Sequence, residues 1–268
     1  MDRVAGLMPA GADAQPLPSP FEDAAAYDAL FGDFDFDRSF YVALARDARG
    51  PVLEVACGTG RILIPCLEAG VDIEGIDLYL PMLERLRARA DAQGLAARVH
   101  HADMRSFVLP RRYALVTIPF NGFVHCLTTA DQLACLAACR NHLAPGGRLV
   151  FNTIPPHAVS APAPEGVPVL EHEVRDPASG RLTRIFDTRT LDRVAQVQHS
   201  VMTIADVDDA GHIVSSRASV TDMRWTWKPE MDLLLRASGY ARWTIAGGFE
   251  HEPFAPDSGL MLVSAWQD

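Results

Sequence analysis

Apolar and polar positions along this chain change their period twice. Over residues 21–49 apolar side chains recur at helical spacing, first Tyr27, Leu30 and Phe31, then Phe40, Tyr41, Leu44 and Ala45. From residue 51 to 155 short apolar runs alternate with helical ones. Residues 52–55, 71–76, 98–101, 113–120 and 148–153 read as strands. Residues 61–69 read as a helix stopped by Gly70, and 80–93 as one with Pro81 near its start, where a missing N–H costs nothing. A further helix opens on Thr129-Ala130-Asp131-Gln132, the spacing of a capping box, and is expected to end at Pro145-Gly146-Gly147. Strands alternating with helices in this way predict a doubly wound, mainly parallel α/β sheet.

The period changes again after Pro155-Pro156. Residues 157–180 are rich in Pro, Ala and Gly, and 181–227 read as strands with no helix between them. Segments 194–207 and 213–227 flank Asp208-Asp209-Ala210-Gly211, a hairpin turn sequence. Helix resumes over 229–237 and stops at Gly239, and 240–246 and 260–266 read as two last strands. The expected organisation is a disordered tail over 1–20, amino-terminal helices and a cofactor-binding core over 21–156, an antiparallel β cap over 157–227, and the rest of the core sheet over 228–268.

Composition narrows the function classes. The 268 residues suffice for a large core, and 24 basic against 34 acidic residues give a net charge of −10. A chain that neutralises many phosphates needs the opposite balance, so nucleic acid is not an expected partner. No apolar run approaches the ~18 residues of a membrane span, and the amino terminus lacks a signal-peptide stretch. Cysteines 57, 66, 126, 135 and 139 are odd in number without small-domain spacing, which points to reduced thiols and a cytoplasmic protein.

In an open parallel sheet ligands bind at the carboxyl ends of the strands. The first such turn is Glu54-Val55-Ala56-Cys57-Gly58-Thr59-Gly60, where Gly58 and Gly60 let the backbone turn sharply against a ligand. A dinucleotide fingerprint would place a third glycine at Leu63, and Glu54 would repel a pyrophosphate. A carboxylate beside a glycine turn suits a ligand with positive charge. Asp77 ends the second strand, where an acid can accept from both ribose hydroxyls. Asp103 and Met104 follow the third strand, the acid suited to an adenine amino group and the thioether to its ring. These features together describe an adenosine with a cationic tail, namely S-adenosylmethionine.

On these residues the chain resembles the class I S-adenosylmethionine-dependent methyltransferases. Glu54 to Gly60 matches their first motif, Gly75-Ile76-Asp77-Leu78 their second, and Ala144-Pro145-Gly146-Gly147 the turn before their fifth strand. The Tyr27-Asp28 pair and the β insert before the last helix resemble the small-molecule group that includes amino-sugar N-methyltransferases. The resemblance implies a seven-stranded Rossmann-like sheet, with Glu54 near the methionyl amine, Asp77 on the ribose and Asp103 on the adenine. Ala56, Gly58, Gly60, Leu78, Met104 and Pro119 complete the expected cofactor set, with Tyr27 closing over the methionyl end. Tyr79-Leu80-Pro81 departs from relatives that carry Ser-Pro directly after Asp-Leu.

The acceptor is expected at the end of the fourth strand, Pro119-Phe120-Asn121-Gly122-Phe123-Val124-His125. His125 has a suitable pKa for a base and is alternatively structural. Asn121 either orients the substrate or caps the turn, the reading favoured here. Phe120, Phe123, Trp225 and Trp227 are candidate acceptor-lining residues, the two tryptophans sharing a face if their segment is a strand. Residues 247–252 are expected to border the pocket. Asp33, Asp35 and Asp37, alternating with Phe34 and Phe36, read as a solvated loop. Cys135, Cys139 and His142 share a helix face but lack a second ligand pair, so no metal is expected. The expected function is methyl transfer to a nitrogen, or less favoured an oxygen, of a small molecule. A nicotinamide-dependent oxidoreductase and a non-catalytic S-adenosylmethionine-binding protein are the alternatives. The expected partner is a small-molecule methyl acceptor, without nucleic acid or membrane, and a homodimer is compatible with the sequence.

Overall fold

The computed structural model describes residues 17–32, 34–159, 164–175, 180, 182–208 and 210–268. Most of the expected tail, Asp33 and Asp209 lie outside the described residues. The chain divides into two compact units, one of residues 21–161 and 224–268, the other of 1–20 and 162–223.

The larger unit is built on strands β1 (Val52–Val55), β2 (Ile73–Asp77), β3 (Arg98–His101), β4 (Tyr113–Ile118), β5 (Leu143–Thr153), β10 (Arg242–Ala246) and β11 (Met261–Trp266). Their order across the sheet is β10-β11-β5-β4-β1-β2-β3. The first five pair in parallel, and β11 lies antiparallel to both β5 and β10. This is the mainly parallel seven-stranded sheet expected from the sequence.

Helices α1 (Ala24–Phe31), α2 (Arg38–Arg46), α3 (Leu63–Glu68), α4 (Leu80–Ala92), α5 (Thr129–Asn141), α6 (Pro156–Val159) and α7 (Lys228–Ala237) belong to the same unit. Because successive strand residues face opposite ways, β1 sends Leu53 and Val55 to one core and Val52 to the other. The first core packs against Leu136 and Cys139 of α5 and Leu234 and Leu235 of α7; the second meets Tyr41 of α2, Leu63 of α3 and Leu83 and Leu86 of α4. In α4 the buried residues Met82, Leu83, Leu86 and Ala90 fall on one helical face. Each large one contributes roughly 1.5–3 kcal/mol of burial.

Two boundaries differ from the sequence reading. The cap of α5 is Thr128, one residue earlier, whose hydroxyl accepts from the Asp131 N–H at 3.0 Å. The helix stops at Asn141 rather than at the Pro-Gly-Gly turn. The Tyr113 N–H donates to the His142 carbonyl, and this pairing draws the chain into β5 from Leu143 onward. Gly147 then passes so close to β4 that a Cβ there would lie 2.7 Å from the Tyr113 carbonyl oxygen.

The smaller unit is a four-stranded sheet ordered β6-β7-β8-β9, with β6 (Val169–Arg175), β7 (Leu182–Asp192), β8 (Val197–Val207) and β9 (Ile213–Arg224). β6, β7 and β8 pair antiparallel. Among the described residues no helix is long and apolar enough to cross a membrane. All five cysteines are free and buried.

Candidate active site

The glycine turn after β1 is held open by unusual backbone. Ala56, Gly58 and Gly60 have φ of 57°, 53° and 87°, a region that glycine enters at little cost and alanine does not. A Cβ on Gly58 would meet nothing within 4 Å, so the main chain there faces open space. Gly60 is the opposite case: a Cβ would lie 2.8 Å from Leu86 of α4, so this glycine lets α4 approach.

Asp77, at the end of β2, braces this turn. One carboxylate oxygen accepts from the Gly58 N–H at 2.8 Å and the other from the Tyr79 N–H at 2.9 Å. Burial pushes its pKa up, against these hydrogen bonds. Glu54 sits deeper, 3% exposed, and its Oε2 has no hydrogen-bond partner. Desolvation raises its pKa well above the usual carboxylate range, although Arg61 lowers it. A buried, unpartnered carboxylate oxygen beside an open glycine turn suits a cationic group. The residues present thus fit the methionyl and ribose ends of S-adenosylmethionine.

Asp103 is engaged differently from expectation. Arg105 grips it through its backbone N–H and guanidinium, which holds its pKa below the usual value. Met104 faces the core, its sulfur 3.6 Å from the Cys126 thiol. Leu78 is half exposed and Pro119 is buried.

An aromatic group spans α1, α2 and the strand ends. Tyr27 contacts Phe21 and Phe31, and Phe31 and Phe34 each lie within 6.1 Å of Phe120. Phe249, from the 247–252 loop, packs at a tilt against Phe40, with ring centroids 4.9 Å apart, and also meets Phe36. Burial pushes the Tyr27 hydroxyl up to about 12, so at neutral pH it stays a hydrogen-bond donor. Asp28 accepts from Arg85 of α4 at 2.8 Å, while Arg89 reaches the Thr59 carbonyl at 3.0 Å, tying α1 and the glycine turn to α4.

Sequence reasoning missed the ion pair beneath these rings. Asp37, expected in a solvated loop, is fully buried and pairs through both oxygens with Arg61. Arg61 also donates to the Phe34 carbonyl and lies over the Phe120 ring, 4.4 Å from its centroid. The guanidinium fork explains why burial is tolerated: it satisfies both carboxylate oxygens at once.

At the end of β4, Phe120 and Asn121 both adopt left-handed backbone, with φ of 52° and 62°. Asn121 makes no side-chain cap bond, contrary to the favoured reading; its Oδ1 accepts instead from Asn152 Nδ2 at 2.9 Å. His125 ends the following short helical turn, Gly122–His125, with its ring edge-on to Phe21 at 5.1 Å. Three acceptor-lining expectations need correction. Phe123 is 0% exposed and packs on Phe151 in the core, so it cannot touch an acceptor. Trp225 and Trp227 lie beyond β9, which ends at Arg224; one is 6% and the other 50% exposed, and they share no strand face. His142 uses both ring nitrogens, on the Ala138 carbonyl and the Leu109 N–H. Among the described residues no cluster of three His, Cys, Asp or Glu could hold a metal ion.

Residues 52–147 match the methyltransferase domain family. The chain is an S-adenosylmethionine-dependent methyltransferase. The methyltransferase is 26% identical over 215 residues to the cypemycin N-terminal methyltransferase of a Streptomyces species, covering 79% of this chain and 81% of that one. Over 99 residues, 37% of either protein, it is 36% identical to a dTDP-3-amino-3,6-dideoxy-alpha-D-glucopyranose N,N-dimethyltransferase of Streptomyces fradiae. Its fold resembles CalS10, an amino pentose methyltransferase from Micromonospora echinaspora solved with S-adenosylmethionine bound, with TM-score 0.69, 25% identity and coverage of 89% and 95%. The CcbJ methyltransferase of Streptomyces caelestis shares the fold at TM-score 0.75 and 21% identity, over 92% of this chain and 98% of that one. The nicotinamide alternative finds no support among these relatives.

Proposed function

We propose that this methyltransferase acts on an amine nitrogen of a small molecule, with the acceptor at the carboxyl end of β4. The observation that carries the cofactor half of this reading is the buried, unpartnered Oε2 of Glu54 beside the open turn at Gly58. S-adenosylmethionine supplies a methyl group on a positively charged sulfur, open to in-line displacement. Glu54 holds the methionyl ammonium, and Asp77 accepts from the ribose with the lone pairs not used by Gly58 and Tyr79. Asp103, whose two oxygens each take two contacts from Arg105, accepts from the adenine amino group only by releasing part of that grip. The aromatic group around Phe31, Phe34 and Phe120 excludes water from the reacting centres. His125 takes the proton of the attacking amine.

Nitrogen is favoured because, of the relatives named above, one is by name an N,N-dimethyltransferase of an amino sugar and another an N-terminal methyltransferase. The acidic balance of −10 favours a neutral or cationic acceptor. The mechanism requires no nucleic acid, membrane or second subunit, and five free cysteines suit a reducing cytoplasm.

The test is a thermal shift with S-adenosylmethionine, S-adenosylhomocysteine and NAD, then mass spectrometry of an acceptor panel. The panel holds dTDP-linked 3-amino sugars, peptides with free amino termini, and matched hydroxyl analogues. Stabilisation by both adenosyl ligands and a mass gain of one or two methyl groups on amines alone are expected. Stabilisation by NAD alone, or methylation confined to the hydroxyl analogues, refutes the proposal.

A further inference from the structure

The left-handed Phe120–Asn121 turn is held from behind by two residues that the mechanism above does not use. Asn152, next to last in β5 and 1% exposed, donates from Nδ2 to Asn121 Oδ1 at 2.9 Å. Its own Oδ1 accepts from the hydroxyl of Tyr41 in α2 at 2.8 Å. The result is a directional chain from Tyr41 to Asn152 to Asn121.

Tyr41 fixes the direction. Its ring is 1% exposed, and burial pushes its pKa well above the ordinary value, so the hydroxyl keeps its proton. That proton needs an acceptor, and Asn152 Oδ1 supplies it. Turning the Asn152 amide over would leave a buried O–H donor unmet, which is costly. With Asn152 so held, its NH2 faces Asn121 and turns the Asn121 carbonyl inward toward it. The end of Asn121 turned away from Asn152 is then its NH2, a donor only.

We propose that Tyr41 and Asn152 are positioning residues that make Asn121 a hydrogen-bond donor toward the methyl acceptor. This rests on the reading that the acceptor lies at the end of β4, and it deepens that reading into a substrate class. A donor recognises an oxygen with lone pairs, such as a hydroxyl, ether or carbonyl, and offers nothing to an ammonium. The favoured substrate is therefore an amine with an oxygen function on a neighbouring carbon, bound with its nitrogen unprotonated. A vicinal amino alcohol, as in an amino sugar, or an α-amino amide has that pattern.

Two variants separate the chain's direction from its mere presence. Tyr41→Phe removes the proton that holds Asn152, so both amide orientations become accessible. In Asn152→Asp both oxygens of an ionised side chain accept, and Asn121 must turn its NH2 inward and present its carbonyl. The first readout is NMR of asparagine-labelled protein saturated with S-adenosylhomocysteine. In the wild type the Asn152 side-chain NH2 should show contacts to Asn121 and none to the Tyr41 ring; in Tyr41→Phe it should show both environments. The second readout uses a vicinal amino alcohol and its deoxy analogue as acceptors. KM for the amino alcohol should rise about two- to tenfold in both variants, the range of a lost neutral hydrogen bond. KM for the deoxy analogue and S-adenosylmethionine affinity should stay near wild type, both measured at a temperature where the variants are folded by circular dichroism, since either change costs some stability at these buried positions. Wild-type contacts from the Asn152 NH2 to the Tyr41 ring, or an unchanged preference for the amino alcohol in both variants, overturn the proposal. A wild-type protein that methylates neither amine overturns the acceptor reading instead, and the NMR result then judges the chain by itself.

Discussion

Replacing Glu54 by glutamine keeps the side chain's size and removes its charge, and it should act in opposite directions on the empty and the loaded protein. In the empty protein Oε2 is buried without a partner, and desolvation raises the pKa of the carboxyl well above its ordinary value. For an acid whose pKa is raised on folding the sign is fixed. The folded state suffers no penalty below the unfolded pKa, loses stability as pH rises toward the raised value, and carries the full penalty above it. Glutamine has no ionisation penalty, only the smaller cost of a neutral buried amide. At neutral pH the empty Glu54→Gln protein should therefore gain at least about 1 kcal/mol. At ~2–4 °C per kcal/mol for a chain of this size, the melting temperature should rise by a few degrees. The loaded protein should lose. A charge-assisted hydrogen bond to the methionyl ammonium contributes about 1.5–3 kcal/mol, so S-adenosylmethionine should bind roughly 10- to 150-fold more weakly. Calorimetric titration and differential scanning between pH 5 and 8 measure both effects. The wild-type affinity should fall as pH drops through the raised pKa of Glu54, because the proton must leave before the ammonium is paired; the variant should lack that slope. A variant that melts lower when empty, or binds the cofactor as tightly as the wild type, refutes the assignment of Glu54.

Other substitutions test the remaining parts of the site. Asp37→Asn leaves the buried Arg61 guanidinium without its carboxylate and should cost about 3–5 kcal/mol in urea denaturation; a loss below 1 kcal/mol would refute the role of the pair. Asp77→Ala removes an acceptor from the Gly58 and Tyr79 N–H groups as well as from the ribose, and should weaken cofactor binding by more than about 1.5 kcal/mol in calorimetry. His125→Ala should lower kcat by roughly 10²- to 10⁴-fold while leaving cofactor affinity unchanged; full turnover would remove it from the proton transfer.

The sheet was legible because its signals are local. Each strand, glycine turn and helix start lies within a dozen residues, and the period of apolar positions carries it. What escaped depends on partners distant in sequence. The alternation of Asp and Phe over residues 33–37 looks solvated until Arg61, 24 positions on, supplies the fork that buries Asp37. Asn121 reads as a cap because its true partner, Asn152, is 31 positions away. The paired tryptophans failed for another reason. Period-2 alternation continues past Arg224, but the strand ends there and Trp227 becomes the residue that immediately precedes α7. Arg105 was legible in principle, since an arginine two residues after Asp103 can close back on its carboxylate.

The backbone at Ala56 and Phe120 sets a limit on how this protein can be improved. Neither residue is suited to the left-handed region it occupies, which costs on the order of 1–2 kcal/mol for an L side chain. Glycine at Ala56 would relieve that cost, so a search for thermostable variants should find it readily, whereas at Phe120 it would also strip away the ring that Phe31, Phe34 and Arg61 pack on. Both flank the strand ends where donor and acceptor must be aligned, and glycine would also widen the range of turns the chain can sample there. The easiest gains in heat resistance should thus come at the expense of turnover, and a stabilised version is better sought in the four-stranded unit or on the outer faces of α4 and α7.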